Sequence, residues 1–202
     1  NGIIQNEAKE LPTIQEFSQF SEQELDRIET LVHSLLKITK LDAGTIELEK
    51  SLENVSELAE NIKKHFLFRA EQEGKEIHLS GNEEISLLCD RNWIIEAIGN
   101  LVKNALDHTE KGGIIRIEWR AFASIVQITV KDNGSGIHPE DLHHIFKRFY
   151  RSRFSKDVQG IGLGLPLAKA IIEAHNGTIE VDSTLSTGTS FTINFLLQYI
   201  YG

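Results

Sequence analysis

The sequence predicts an α+β fold, a two-layer sandwich in which helices cover a mixed, mostly antiparallel sheet, preceded by a long helix. Apolar residues recur at helical spacing in an early segment and again in later ones. Between the later helices lie short segments of alternating apolar residues that can pair as hairpins, which argues against a doubly wound parallel sheet. With 202 residues, 40% of them hydrophobic, the chain can bury one core and carry a helical extension.

The first predicted helix spans residues 14–41, after a stretch without clear periodicity that Pro12 interrupts. Its apolar seam, with steps of three, four and three residues, consists of Leu25, Ile28, Val32 and Leu35. Gly44 is a plausible left-handed stop. Two interpretations stay open. The helix either faces the core of its own domain or belongs to a helical bundle or dimer interface.

The remaining elements follow in order. A second helix carries an apolar stripe from Val55 to Phe66 and ends near Gly74. We predict strands at 77–79, 85–89, 114–119 and 125–130, a helix at 92–108, a short helix from Pro139, a helix at 164–175, and a hairpin of 177–183 with 189–197. Residues 151–160 are basic and lack apolar periodicity, so we expect a mobile loop there.

Composition excludes several classes of protein. The formal net charge of −9 argues against non-specific attraction to nucleic acid or anionic lipid, so an anionic ligand needs a local site. The single cysteine, Cys89, cannot form an internal disulfide and fits a reducing compartment. No apolar run approaches the roughly 18 residues of a membrane span, and no signal peptide is present. Because methionine is absent even at the start, we expect a fragment of a longer parent.

Two amides on one predicted helix are candidate metal ligands. Asn100 and Asn104 are four residues apart, so both side chains project from the same face. Neutral carbonyl oxygens suit Mg²⁺, which prefers hard oxygen ligands and retains waters and phosphate oxygens. Two amides that merely face solvent would have the same spacing, and that interpretation stays open.

The segment Asp132-Asn-Gly134-Ser-Gly136 directly follows a predicted strand. In a functional interpretation, Asp132 accepts a hydrogen bond from the exocyclic amine of adenine. A ring without that amine would leave a buried carboxylate unpaired. Gly134 and Gly136 would let the backbone approach the ring closely. The alternative is a hairpin, because Asn-Gly is also the strongest short hairpin signal.

The third motif, Gly160-Ile-Gly162-Leu-Gly164-Leu165, opens a predicted helix. Backbone N–H groups at a glycine-rich helix start can bind an anion. The motif lacks the strand–turn–helix setting of a dinucleotide fingerprint and the Gly-Lys-Ser/Thr ending of a P-loop. A glycine-rich loop without a phosphate role remains the alternative.

A group of cations precedes the third motif. The group consists of Arg148, Arg151, Arg153 and Lys156. In an acidic chain, four cations so close together suggest a local clamp for phosphate. A solvated basic loop is the other interpretation.

Together and in this order, the motifs resemble the catalytic ATP-binding domain of sensor histidine kinases, in the gyrase–Hsp90–histidine kinase–MutL ATPase superfamily. Residues 100–104 resemble the N box, 132–136 the first G box, 146–151 the F box, 160–165 the second G box, 187–191 the third, and 35–44 the end of the second dimerisation helix. The resemblance implies a Bergerat-type ATP fold at 49–202, after a partial dimerisation region at 1–48.

The resemblance also implies roles for individual residues. Asn104 would bind Mg²⁺ with Asn100 beside it at the phosphates, and Asp132 would bind the adenine amine. The catalytic candidates are Asn100, Asn104, Arg148 and Arg151, of which either arginine would hold phosphate together with the backbone amides of the second G box. The nucleotide-binding candidates are Asn100, Asn104, His108, Asp132, Gly134, Gly136, Ile137, Phe149, Gly160, Gly162, Leu163, Gly164, Leu165 and Thr189.

The chain departs from the family pattern at two places. Asp107 and His108 stand where the family often has Lys-Tyr, so the resemblance does not supply a lysine contact to phosphate there. The phosphoacceptor box is absent, because His33 is not followed by an acid. A third position separates branches of the superfamily: ATP-hydrolysing members place a water-activating glutamate where this chain has Asn100.

We therefore expect an ATP-dependent protein-histidine kinase fragment that binds ATP and Mg²⁺ and lacks its phosphoacceptor histidine. The resemblance implies a response regulator receiver domain as partner, a homodimer in the full-length protein, no nucleic-acid partner, and a cytoplasmic location in a parent anchored in the bacterial membrane. The alternatives are a serine kinase of the anti-sigma type, an ATPase of the same superfamily, and a docking module without catalysis.

Overall fold

The computed structural model describes the backbone of residues 2–152 and 160–197, and the side chains within 17–152 and 160–197. The elements are α1 (Gly2–Asp42), β1 (Ser51–Asn54), α2 (Val55–Glu73), β2 (Glu76–Gly81), β3 (Ser86–Cys89), α3 (Arg91–Asp107), β4 (Ile114–Phe122), β5 (Ile125–Asp132), α4 (Gly164–Ala174), β6 (Gly177–Thr184) and β7 (Gly188–Leu196).

Five strands form the main sheet, in the order β2-β4-β5-β7-β6. Strand β2 is parallel to β4, and every other neighbouring pair is antiparallel. Alternate residues of the central strands are buried, as in the series Ile115, Ile117 and Trp119 of β4. Helices α2, α3 and α4 contact the sheet, so the apolar face is covered and the other face stays polar. The predicted two-layer α+β sandwich with a mixed sheet is confirmed.

A second, two-stranded sheet was not predicted. Strand β1 pairs antiparallel with β3, in the register Ser51 with Cys89. The sequence of β1 is Ser-Leu-Glu-Asn, in which one apolar residue gives no alternation to detect. Its strand conformation depends on the partner β3, so only the tertiary structure reveals it.

Helix α1 is longer than predicted and is continuous through Pro12, where we expected a break. Proline's fixed φ is itself helical, so a helix can pass through it at the cost of one backbone hydrogen bond and a local clash. As expected, Gly44 lies in the left-handed region (φ 62°) just after the helix, and its N–H donates to Leu41 O at 3.0 Å.

Among the side chains of α1 that the structure describes, from Phe17 onward, those at the C-terminal end pack on the rest of the chain. Ile38 is 1% exposed and contacts the core, whereas Leu25 and Ile28 of the predicted seam are 64% and 54% exposed. Lys37 Nζ lies 2.6 Å from Glu96 Oε1 on α3, which adds an ion pair to this junction. The seam therefore does not face the core of this chain, and the bundle or dimer interpretation fits it better.

The short helix predicted from Pro139 is wrong, because residues 139–146 form successive turns. The N–H of Asp141 donates to His138 O at 2.8 Å and that of His144 to Asp141 O at 2.7 Å, both three-residue steps. The Asp141 carboxylate accepts a bond from Tyr150 Oη at 2.5 Å. The segment thus folds toward a residue nine positions later and does not continue as a helix.

A buried polar junction joins α3 to α4, the two helices that carry most of the predicted motifs. Asp90 caps α3, since its Oδ1 accepts from the N–H groups of Asn92 and Trp93 at 3.1 and 3.3 Å. The N–H of Asp90 donates to Nε2 of His175 at 3.1 Å, and Nδ1 of that ring donates to Ile171 O at 2.8 Å. These bonds require the neutral imidazole.

We expect the stability of the fold to decrease in mild acid through His175. Burial lowers the pKa of His175 below its ordinary value of 6.5. In mild acid the folded state therefore binds fewer protons than the unfolded state. The contribution of His175 to the free energy of unfolding is complete above pH 6.5 and is lost as pH falls through the lower pKa of the folded state. Urea denaturation of wild type and of His175→Gln between about pH 7.5 and about pH 5.5 measures it.

The difference in pH dependence between the two proteins isolates the contribution of His175, because carboxylates titrate in both. The exposed His65 supplies the control variant, His65→Gln, which should follow wild type. Equal pH dependence in wild type and His175→Gln would contradict the prediction.

Candidate functional site

A cavity of about 290 Å³ lies between α3, the start of α4, the loop after β5 and the β6–β7 hairpin. Each of the three sequence motifs contributes to its wall. Of the residues predicted as a site, those that line it are Asn100, Asn104, His108, Gly136, Ile137, Arg151, Gly160, Gly162, Gly164, Leu165 and Thr189. The structure thus brings together segments nearly ninety residues apart in the chain.

One face of α3 forms the polar side of the cavity. Besides Asn100 and Asn104, this face carries Lys103 and Asp107. The amide nitrogen of Asn100 donates to Glu96 O one turn earlier, at 2.9 Å. Its Oδ1 is turned toward α4 and would lie 3.1 Å from a Cβ placed on Gly164. The glycine at the start of α4 therefore leaves this carbonyl oxygen accessible, and the donor set on this face suits a hard cation.

Asp132 lies beneath the cavity wall rather than in it. Its carboxylate is 4% exposed, and Oδ1 accepts from Gly134 N at 2.9 Å and from Thr189 N at 3.2 Å. Neither bond uses Oδ2. Burial nevertheless raises the pKa of Asp132, because loss of hydration outweighs the two backbone donors.

Ser183 connects the strands around Asp132, and sequence reasoning missed it. Its Oγ accepts from Ile137 N at 2.8 Å, donates to Gly188 O at 3.0 Å, and lies 3.0 Å from Thr189 Oγ1. The side chain thus holds the loop after β5 against the β6–β7 hairpin. A serine in a predicted strand gives no signal for this role.

The glycines of the first motif meet the protein's own backbone. A Cβ on Gly134 would lie 2.2 Å from His108 O, and one on Gly136 would lie 2.2 Å from Thr184 O. Gly136 also has a positive φ of 71°. The absence of a side chain is therefore required by internal packing, whereas we expected it to admit a ligand ring.

The predicted F box is joined to the second glycine motif. Phe149 N donates to Gly162 O at 2.9 Å, and Phe149 has a φ of 62°, a costly conformation for a bulky side chain. Helix α4 then starts at Gly164 without a side-chain cap. Its first N–H groups therefore lack side-chain acceptors at the edge of the cavity, which is the arrangement of an anion site.

Three further residues that line the cavity are Asp141, Tyr150 and Ser152. Asp141 is 3% exposed, and its two oxygens accept from Tyr150 Oη and from Ser152 Oγ. These hydrogen bonds fix the chain on either side of Arg151, which lines the cavity. Sequence reasoning missed this cluster, because its members matched no motif.

Some predicted site residues lie elsewhere. Arg148 forms an ion pair with Asp42 at the end of α1 and does not line the cavity. Asp132, Gly134, Phe149 and Leu163 are likewise not among the residues that line the cavity. Arg153 and Lys156 of the predicted cation group, like most of the expected mobile loop, lie outside the described residues.

Among the side chains that the structure describes, in 17–152 and 160–197, no cluster of three or more His, Cys, Asp or Glu residues could hold a metal ion. In the same part of the chain, no helix combines the length and apolar character needed to cross a bilayer.

Residues 89–199, more than half of the chain, match the model of the histidine kinase-, DNA gyrase B- and HSP90-like ATPases. The chain belongs to this family. The matched segment contains all three motifs that line the cavity, and the resemblance drawn from those motifs is confirmed.

Proteins named as histidine kinases are among those similar to this chain. Sensor histidine kinase YvrG of Bacillus subtilis (strain 168) is 32% identical over 187 residues, which are 92% of this chain and 32% of YvrG. Full-length ShkA, solved with AMPPNP, has a TM-score of 0.75 at 26% identity. The match covers 84% of this chain and 36% of the ShkA chain. Histidine kinase ThkA, solved with response regulator protein TrrA, has a TM-score of 0.71 at 26% identity. The match covers 87% of this chain and 49% of the ThkA chain. The chain thus spans about a third of its curated relative.

We expect Gly136→Ala to destabilise the fold more than Gly112→Ala. Both glycines have positive φ, of 71° and 82°, so both variants incur the left-handed cost of about 1–2 kcal/mol. A Cβ at Gly136 would also clash with Thr184 O, whereas nothing lies within 4 Å of one at Gly112. The extra cost should be about 1–3 kcal/mol, measured by urea denaturation. Equal costs would show that the backbone contact at Gly136 relaxes freely.

Proposed function

We propose that this chain is the ATP-binding catalytic portion of a two-component sensor histidine kinase. It transfers the γ-phosphoryl group of ATP to a histidine of a dimerisation helix that is not in this sequence, for relay to an aspartate of a response regulator. The observation that carries the proposal is the convergence on one cavity of an amide-bearing helix face and an uncapped helix N-terminus, with the buried carboxylate of Asp132 beneath the cavity wall. The ShkA complex with AMPPNP supports the same ligand class.

Asp132 is assigned to adenine. Its Oδ1 is held by two backbone N–H groups, so Oδ2 is the atom that accepts a bond from the exocyclic amine. Binding of that amine compensates a carboxylate whose ionised form is disfavoured by burial, as the raised pKa indicates. Gly136, Ile137 and Thr189 surround the base, because they line the adjacent wall.

Asn104 and Asn100 are assigned to Mg²⁺ and the phosphates. Both amides lie on the cavity side of α3, and the hydrogen bond from Asn100 to Glu96 O leaves the carbonyl oxygen to face the cation. When bound, Mg²⁺ neutralises charge on the phosphates. The backbone N–H groups at Gly162 and Gly164 bind phosphate oxygens, and Arg151, which also lines the cavity, supplies a cation.

The chemistry is transfer to an external nucleophile. An imidazole nitrogen attacks the γ-phosphorus and forms a P–N bond, while the P–O bond to the β-phosphate breaks and ADP leaves with the electron pair. Asn100 occupies the position where ATP-hydrolysing relatives place a glutamate. An amide cannot take a proton from water, so catalysis depends on positioning and electrostatic stabilisation.

The partners follow from α1 and from the solved relatives. The exposed apolar side chains of Leu25, Ile28 and Val32 support a dimerisation region at 1–48 that pairs with a second copy in the full-length protein, beside a catalytic domain at 49–202. ThkA, solved with a response regulator, supports a receiver domain as partner. We place this portion in the cytoplasm, with the membrane anchor in other parts of the parent, as the resemblance to sensor kinases implies.

We expect Asp132→Asn to weaken MgATP binding by at least about tenfold, or about 1.4 kcal/mol, measured by calorimetry. Asparagine can still accept from Gly134 and Thr189 through Oδ1, but its amide nitrogen then faces the adenine amine as a second donor. Because burial disfavours the aspartate charge, the variant should unfold at an equal or higher urea concentration than wild type. Weaker binding without loss of stability separates ligand recognition from folding.

Two further variants complete this experiment. Asn104→Asp places a negative charge beside the phosphates and should weaken MgATP binding by a similar factor. Asp182→Asn makes the same change as Asp132→Asn at an exposed position of β6 and should bind like wild type. Unchanged affinity in both Asp132→Asn and Asn104→Asp would overturn the site assignment.

We expect phosphoryl transfer when the chain is mixed with a separate polypeptide that carries a dimerisation helix with its phosphoacceptor histidine, and with γ-labelled ATP. Label that is stable in base and labile in acid on that polypeptide would support histidine transfer. Release of phosphate without labelling would instead favour an ATPase. A polypeptide in which the histidine is replaced by glutamine is the matched control.

A further inference from the structure

The cavity that we assign to an anionic nucleotide contains a carboxylate among its lining residues. Asp107 lies on the same face of α3 as Asn100 and Asn104, less than one helical turn after Asn104. An ionised carboxylate at the edge of a phosphate site repels its ligand, and the repulsion is strong where the side chain is partly withdrawn from water. The Asp107 side chain is only 26% exposed.

Arg69 of α2 counters this carboxylate from outside the cavity. Its Nη2 lies 2.6 Å from Asp107 Oδ1, and its Nε lies 2.6 Å from Glu73 Oε1. The Arg69 side chain is 35% exposed, and its hydrogen bonds to Asp107 and Glu73 raise its pKa despite burial. Arg69 is thus a fixed positive charge directly behind Asp107.

The ion pair belongs to a network with no net charge. Glu73 also accepts from Lys75 Nζ at 2.5 Å, and Lys75 Nζ donates to Leu106 O at 2.7 Å. Two cations and two anions therefore connect the end of α2 to the end of α3. Without Arg69, the network would carry a net negative charge, and its unpaired carboxylate would be the one in the cavity wall.

We infer that Arg69 is a positioning residue that neutralises Asp107 and so allows the cavity to bind the polyphosphate of its nucleotide. The inference rests on the proposed function. Ion pairs of this exposure contribute little to folding stability. The charge of Arg69 therefore changes the affinity for a ligand in proportion to the negative charge of that ligand. The affinity for a ligand without phosphate stays the same.

The experiment compares charged and uncharged ligands by calorimetry. Arg69→Met keeps an apolar stem of similar length and removes the charge. MgATP should bind about tenfold more weakly than to wild type, as one uncompensated charge near a polyanion implies. Adenosine, measured by displacement, should bind within about twofold of wild type. Raising the salt concentration should reduce the difference for MgATP.

Rescue distinguishes charge from structure. The double variant Arg69→Met/Asp107→Asn removes both charges and should recover wild-type affinity for MgATP. Arg116→Met removes an arginine charge from the exposed face of β4, away from the helices, and is the control for net charge. It should leave both affinities unchanged.

Each result bears on the inference in a defined way. If Arg69→Met weakened adenosine and MgATP binding equally, the role of Arg69 would be purely structural and the inference would be overturned. The same would follow if the double variant bound MgATP as weakly as Arg69→Met. If wild type binds MgATP and Arg69→Met binds it with the same affinity, this inference is overturned and the proposed function is not. A wild-type protein that bound no nucleotide would overturn the proposed function and the inference together.

Discussion

The carboxylate of Asp132, buried at the end of β5, is the interaction on which the architecture of the site depends. Two backbone N–H groups from different segments converge on one of its oxygens, which ties the loop after β5 to strand β7. Ser183 reinforces the same junction from β6 through Ile137 N. Burial raises the pKa of this carboxylate despite the two backbone donors, so its ionised form is disfavoured where it stands. Such a shift is typical of binding sites.

The second constraint is the close approach of α3 and α4. The neutral ring of His175 links Asp90 to Ile171 at the ends of these helices far from the cavity. At the cavity, the lack of a side chain on Gly164 leaves room for the amide of Asn100. The polar face of one helix and the uncapped start of the other are therefore held at a fixed separation. A nucleotide site depends on fixed positioning of this kind.

The part of the site that lies within contiguous motifs could be predicted from the sequence. Asn100 and Asn104 share a helix face by spacing alone, and Gly162 and Gly164 open a helix that has a clear apolar pattern. The residues that were missed act across the fold: Ser183 joins three segments, Asp141 holds Tyr150 and Ser152, and Arg69 meets Asp107 across 38 positions. Their spacing in the chain carries no period, because only the tertiary packing brings them together. Strand β1 was missed for the same reason. The segment after Pro139 was wrongly predicted as a helix, because a favourable helix start did not outweigh the contact of Asp141 with Tyr150.

Over its described side chains, from Phe17 onward, helix α1 is attached to the domain at its C-terminal end. Ile38 is buried, and Lys37 is paired with Glu96, one turn before Asn100, while Phe17, 21 residues earlier, is 72% exposed. At 1.5 Å per residue, this free arm is about 30 Å long. A tilt of about 5° at the base displaces its far end by about 3 Å. The geometry is that of a lever: its anchored end contacts α3 one turn before Asn100, and a small change of angle there becomes a larger displacement at the far end.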